Sequence, residues 1–99
     1  MGIFKFINDI GNYEARKVGR TKVSGLIIST CETNDEGYET AVCDKNGAHP
    51  VERYPNKKDA VIGHEKWVGK AKKLKTIKKL GGFGGIVKDE IISLERLQI

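Results

Sequence analysis

The chain has 99 residues, of which 38% are hydrophobic and 31% are charged, and its formal net charge is +5. This length supports one domain, predicted to span residues 1–99, and the composition is too apolar for a disordered chain. No apolar run approaches the roughly 20 residues that a membrane-spanning helix needs, and no secretory signal pattern is present, so we predict a cytoplasmic protein without a membrane partner.

The N-terminal residues 1–15 are predicted to form an amphipathic helix and a linker ahead of an α+β body at residues 20–99. The segment IFKFINDI carries apolar residues at helical spacing, namely Ile3, Phe6, Ile7 and Ile10. We expect this helix to dock on the body or to contact a partner, with Phe4 as a contact residue. A membrane-lying helix is the alternative, but the segment lacks the basic polar face that such helices use.

Two strands are predicted next. The basic stretch ARKVGRTK is predicted to be a loop, and the apolar, β-branched run VSGLIIST is predicted to be the first strand. The turn TNDEG then leads to the second strand, YETAVCD.

The pair Asn46-Gly47 is the strongest local signal, because both residues tolerate the positive φ that a tight hairpin turn requires. It predicts a hairpin that joins the second strand to a third, HPVERY. Pro50 cannot donate a ladder hydrogen bond, which places this third strand at the start or edge of the sheet.

A helix is predicted from about Asn56 to Lys73, with Asn56 as its N-cap and Asp59 in its first turn. At 100° per residue, its buried stripe comprises Val61, His64, Trp67, Val68, Ala71 and Leu74. Its opposite face carries lysines. Trp67 and His64 are therefore predicted to be core residues, the histidine with hydrogen-bonded ring nitrogens.

The helical pattern ends near Lys73 to Lys75, because continuing it would place further lysines in the apolar stripe. KTIKKL is predicted to be extended, GGFGG a flexible link, and IVKDEIISLERL one or two final strands. The predicted fold is α+β, with a mostly antiparallel four- to five-stranded sheet, one amphipathic helix packed across it and a short N-terminal helix.

Lysines of the segment 66–79 account for the basic charge. Without the seven lysines in this segment, the basic residues would be fewer than the 13 acidic ones. If the helix face and the following strand lie side by side, their ammonium groups could bind the phosphates of a nucleic acid or an anionic partner. The candidate residues are Lys66, Lys70, Lys73, Lys75, Lys78 and Lys79. A solvated face that maintains solubility is the alternative.

Phe83 is the second candidate contact residue, because glycines flank it on both sides and leave it little to pack against. It could stack on a base, enter a partner's pocket or fold back on the domain. The surrounding GGFGG is not a phosphate-binding loop, since such loops run from a strand into a helix, and here the order is reversed.

A metal site would need Cys31, Cys43, His49 and His64, but no two of them have the close spacing of known zinc motifs. The TNDEG turn places Cys31 opposite a residue near Glu39, which leaves Cys43 beyond disulfide reach. We predict buried free thiols, no metal, no cofactor and no catalytic residue.

The segment GYETAVCDKNGAHPVERYPNKKDAVIGHEKWV, together with GGFGGIVKDEIISLERL, resembles a set of small phage and prophage proteins of Gram-positive bacteria. The shared pattern contains ETA, a turn, HPVERY and GHxxWV, and the two segments cover about half of the chain. This resemblance implies a viral origin and location in the bacterial host cytoplasm, with virion association as an alternative. It assigns no activity. Gly63, His64 and Trp67 recur in the pattern, which implies a helix that approaches the sheet closely.

The predicted function is that of a non-enzymatic, phage-derived accessory protein that binds a protein partner or associates with itself. Binding of nucleic acid or nucleotides through the lysines, without sequence preference, is the alternative. The two differ in one property, since binding through lysines weakens steeply as salt rises.

Overall fold

The computed structural model describes residues 17–34, 37–82 and 85–98. The elements are β1 (Lys17–Val23), β2 (Leu26–Glu32), β3 (Tyr38–Asp44), β4 (Gly47–Tyr54), α1 (Lys57–Ala71), β5 (Thr76–Lys79) and β6 (Glu90–Ser93). The first four strands form an antiparallel sheet in chain order, β5 and β6 form a second antiparallel sheet, and α1 packs across the first. The predicted α+β class is confirmed. The predicted N-terminal helix, with Phe4, lies outside the described residues, as does Phe83.

The prediction that ARKVGRTK is a loop is wrong, because most of it belongs to β1. The run VSGLIIST is likewise not one strand: Val23 ends β1 and pairs with Leu26, the first residue of β2. Between them, Ser24 and Gly25 have φ angles of 50° and 82°, as a two-residue hairpin turn of the primed type requires. β1 carries basic side chains because an edge strand with one solvated face accommodates charge.

The hairpin between β3 and β4 is confirmed, but its turn lies one residue earlier than predicted. Lys45 and Asn46 occupy the turn, while Gly47 opens β4 with a φ of 127°. The Asn46 amide donates to the Asp44 carboxylate at 2.9 Å, which stabilises this turn without a positive φ at Asn46. Pro50 lies on β4 at the edge of its sheet, as predicted, where the register with β3 shifts.

α1 begins and ends close to the predicted positions. The Asn56 side chain accepts a hydrogen bond from the Asp59 amide at 2.9 Å, which confirms the predicted N-cap. The prediction that Val61 is buried is wrong, because 44% of it is exposed. The face toward the sheet instead includes the small residues Ala60 and Gly63, and Gly63 has no side chain where the ring of Tyr54 lies against the helix.

One hydrophobic core joins the helix and both sheets. Its buried residues are Leu26, Ile28, Val42, Val51, Ala71 and Ile77, and half-buried Trp67, Val68, Leu74 and Ile92 pack around them. Residues 94–98 then cross the domain. The amides of Leu94, Glu95 and Leu97 donate to the Lys75 carbonyl, the Asp44 carboxylate and the Gly25 carbonyl, respectively.

Both cysteines are free, as predicted. Cys31 pairs with Glu39 across β2 and β3, and Cys43 pairs with Ile27, so the predicted register is correct. The two thiols are half-buried rather than buried.

Candidate functional site

The lysines predicted to bind an anion lie on α1, on β5 and in the connection between them. Two of them are engaged within the chain: Lys66 binds the Glu52 carboxylate at 2.6 Å, and Lys78 lies 3.6 Å from the Asp89 carboxylate. Among the described residues, no carboxylate lies within ion-pair distance of Lys70, Lys73, Lys75 or Lys79. Four of the six candidate lysines therefore remain available to bind an anion. We call these four, Lys70, Lys73, Lys75 and Lys79, the lysine cluster.

Trp67 packs against the core and is half-buried, which supports its predicted role in packing. Its indole N–H donates to the Glu52 carboxylate at 2.8 Å. The ammonium groups of Lys70 and Lys66 lie 4.6 Å and 5.8 Å from its ring centre, within the range of cation–π attraction. The exposed part of the ring is thus occupied by side chains of the same helix and is not a free platform for a nucleic-acid base.

A chain of hydrogen-bonded side chains runs under α1 across all four strands of the larger sheet. Its members, from β1 to β4, are Thr21, His64 of α1, Thr30, Thr40 and Tyr54. The successive distances are 3.0 Å, 2.7 Å, 2.6 Å and 3.0 Å. We call this arrangement the hydroxyl–imidazole chain. It confirms the prediction that both ring nitrogens of His64 are hydrogen-bonded.

Burial governs the titration of the groups in this chain. Burial lowers the pKa of His64, which therefore stays neutral at physiological pH. Burial and the hydrogen bond to the Glu52 carboxylate raise the pKa of Tyr54 to about 12, so its hydroxyl remains a donor. A neutral imidazole and a protonated phenol can both be satisfied by hydroxyl partners.

Glu52 ends the chain at the surface. One of its oxygens, Oε1, accepts hydrogen bonds from Lys66, from Trp67 and, at 3.1 Å, from the Tyr54 hydroxyl. Burial alone would raise the pKa of Glu52, but these three donors outweigh it and lower the pKa. Sequence reasoning missed Glu52 and Tyr54. Their spacing of two within HPVERY, which places both on one face of a strand, is the signal that could have identified them.

A groove of about 340 Å³ lies beside this end of the chain. Its lining includes Glu52, Tyr54, Asp59, Ile62, Gly63 and Lys66. At this groove, Lys66, Trp67 and Tyr54 all bind the same oxygen of Glu52, Oε1.

Asp44 and His49 form a second buried polar cluster, at the other hairpin. The Asp44 carboxylate accepts hydrogen bonds from the His49 ring at 2.9 Å and from the amides of Asn46 and Glu95. Burial opposes its charge, but these donors outweigh burial and lower the pKa of Asp44. The contact with Glu95 ties the β3–β4 turn to the C-terminal segment, whereas those with Asn46 and His49 stay within the hairpin. Within the described ranges, no group of three histidine, cysteine or acidic side chains could hold a metal ion.

The end of the β5–β6 hairpin exposes large apolar side chains. Ile86 is 84% exposed, Ile91 69% and Val87 46%. We call these three residues the hairpin patch. At the start of this segment, Gly82 and Val87 exchange two backbone hydrogen bonds, each amide donating to the other residue's carbonyl. The sequence predicts a strand region for these residues but does not indicate that they are exposed.

Comparison with known proteins finds no matching family model, no similar curated protein and no similar solved structure. In the part of the chain that the structure describes, no helix is both long and apolar enough to span a membrane.

Proposed function

We propose that this chain is a non-enzymatic accessory protein of phage origin that binds a protein partner or another copy of itself through the hairpin patch. The phage origin and the cytoplasm of a Gram-positive host follow from the sequence resemblance. The binding role follows from the exposure of Ile86, Val87 and Ile91, which is the observation that carries the proposal.

Exposed large apolar side chains that follow closely in the chain, from Ile86 to Ile91, favour association, because burying them removes apolar area from water. Charged residues adjoin the hairpin patch in the sequence, namely Lys88, Asp89 and Glu90. An apolar centre with a charged rim is the usual composition of an interface between proteins. Both ring nitrogens of His64 bind threonine hydroxyls beneath α1, and Oε1 of Glu52 accepts from three donors, which favours a structural role for these groups.

The proposal predicts saturable cross-linking from the hairpin patch. With the photoreactive residue p-benzoylphenylalanine in place of Ile86, we expect irradiation in a Gram-positive lysate to yield a covalent adduct. Excess wild-type protein should suppress this adduct by competing for the partner. Excess of the double variant Ile86→Asp/Ile91→Asp should not, because its patch is charged. Gel electrophoresis and mass spectrometry of the adduct measure both effects.

The same photoreactive residue in place of Lys45, which is exposed on the β3–β4 turn, is the matched control. The mass of the adduct distinguishes a second copy of this chain from another protein, and either identity supports the proposal. The absence of an adduct, equal adducts from both positions, or equal competition by the charged variant would contradict it.

Binding to a polyanion is the second candidate function, and the lysine cluster favours it. These ammonium groups follow one another from the last turn of α1 into β5, with no described carboxylate to neutralise them. Such a surface binds phosphates by releasing counterions from the nucleic acid and is indifferent to base sequence.

If this second function is correct, replacing the four lysines of the lysine cluster by glutamine should weaken binding to labelled duplex DNA. The slope of log K against log salt should become less steep by about 3 to 4, since each lost phosphate contact contributes about 0.9. Fluorescence anisotropy at several salt concentrations measures this slope. The control replaces Lys22, Lys45, Lys57 and Lys58 by glutamine, which removes the same charge elsewhere. If both sets of substitutions reduce the salt slope equally, binding does not depend on a local site at the lysine cluster.

A further inference from the structure

The outer edge of β6 has backbone groups that point away from β5. The Leu94 amide donates to the Lys75 carbonyl at 2.9 Å, and Thr76 pairs with Ser93 in the antiparallel register. In an antiparallel ladder, hydrogen-bonded and non-hydrogen-bonded pairs alternate. Ile91 and Ser93 therefore belong to the non-hydrogen-bonded pairs with β5, and their N–H and C=O groups face outward.

The two edges of this small sheet differ in their surroundings. Beyond β5, the Leu80 amide donates to the Pro50 carbonyl of β4 at 2.8 Å, and Arg53 donates to the Gly81 carbonyl at 3.2 Å. Beyond β6, no described residue accepts from or donates to the outward groups of Ile91 and Ser93. An edge in this state is a template for one more strand.

The side chain of Ile91 distinguishes this edge from a protected one. Protected edges carry lysine, proline or an inward charge at their centre, whereas Ile91 is apolar and 69% exposed. On the same face, its cross-strand neighbour Lys78 is paired with Asp89. The residues around β6 include both acidic and basic side chains. Two copies of this edge can therefore approach each other, whereas two copies of the lysine cluster would repel.

We propose that β6 pairs in antiparallel fashion with β6 of a second copy, about a two-fold axis that places Ile91 opposite Ile91 of the other copy. The two hairpins then form one continuous four-stranded sheet. This inference rests on the proposed function and assigns its partner. A two-fold axis suits an isolated edge, because each copy supplies the donors that the other copy accepts.

Charge selects this register over its neighbours. Moving the axis by one residue toward the N-terminus would place Glu90 opposite Glu90 of the other copy. Moving it by one residue toward the C-terminus would bring Asp89 against Glu95, which places like charges together and meets backbone groups that Asp44 and Lys45 already engage. With the axis at Ile91, Asp89 lies opposite Ser93 and no like charges are opposed.

Sedimentation equilibrium over a range of protein concentrations tests this pairing. We expect the wild-type mass to rise toward that of two chains, and Ile91→Pro to keep the mass of one chain. Proline at this position removes an outward N–H and leaves the hydrogen bonds between β5 and β6 intact. Ile91→Asp should have the same effect, while Ile62→Asp, a matched control at an exposed isoleucine of α1, should associate like the wild type.

A cross-link tests the register directly. We expect Ile91→Cys to form a disulfide-linked dimer on mild oxidation, whereas wild-type protein, with Cys31 and Cys43 present, should not. Circular dichroism should show that every variant is folded.

A single-chain mass for the wild type at all concentrations, or association that survives Ile91→Pro, would overturn the inference. If that result accompanies a competed adduct from position 86 with another protein, the proposed function stands and only the identity of its partner is wrong. If no adduct forms either, both proposals fail.

Discussion

We expect Arg96→Ala to lower the free energy of unfolding by about 2 kcal/mol, since hydrogen bonds that a charged group donates contribute about 1.5–3 kcal/mol and two of these four are part-buried. The guanidinium reaches the carbonyl of Ser24 at 3.0 Å and those of Ala71, Lys72 and Leu74 at 2.7, 3.2 and 2.6 Å. The last carbonyls of a helix have no partner within it, and they carry the negative end of its dipole. Urea denaturation followed by the fluorescence of Trp67 measures the loss.

Two further substitutions separate geometry from charge. Arg96→Lys keeps the positive charge but not the planar fork, so we expect an intermediate loss. Arg20→Ala removes an exposed arginine of β1 and should change the free energy of unfolding by no more than about 0.5 kcal/mol. If Arg96→Ala lowers the free energy of unfolding no more than Arg20→Ala does, Arg96 does not stabilise the C-terminal end of α1.

Gly63→Ala should lower the free energy of unfolding by about 2 kcal/mol, because a methyl group forced into a packed interior costs this much. A Cβ at Gly63 would overlap the ring and hydroxyl of Tyr54. The ring cannot withdraw without breaking its hydrogen bonds to Thr40 and Glu52. Denaturation in urea, again followed through Trp67, provides the measurement.

The same helix contains a matched control for this substitution. A Cβ at Gly69 would meet no atom within 4 Å. Gly69→Ala should therefore raise the free energy of unfolding by about 0.5–1 kcal/mol, since alanine favours a helix interior. We therefore expect the two substitutions to change the free energy of unfolding in opposite directions. If Gly69→Ala lowers it as much as Gly63→Ala does, contact with Tyr54 is not the cause.

Local signals in the sequence predicted the elements whose ends are fixed by their own residues. Asn56 identifies the start of α1 because its cap contact is only three residues away. Asn46-Gly47 identifies a hairpin for the same reason, although the turn centre lies one residue earlier. β1 was missed because its identity depends on pairing with β2, and its basic side chains resemble those of a loop.

The site was less predictable, since its contacts join residues from different elements. The lysines were visible in the sequence, but the pairing of Lys66 with Glu52 depends on how α1 lies on β4. The exposure of Ile91 depends on which edge of the small sheet faces the rest of the domain. The order of apolar residues in IVKDEIISLERL does not contain that information.

The hydroxyl–imidazole chain can change the orientation of its hydroxyl dipoles when the charge of His64 changes. Each threonine in it can donate in either direction, so the row of O–H dipoles has two orientations with the same heavy-atom positions. If His64 gains a proton, Thr30 must accept from it, Thr40 must accept from Thr30, and the Thr40 hydroxyl turns toward Tyr54. The interior can thus reorient its polarity across four strands while the backbone stays in place.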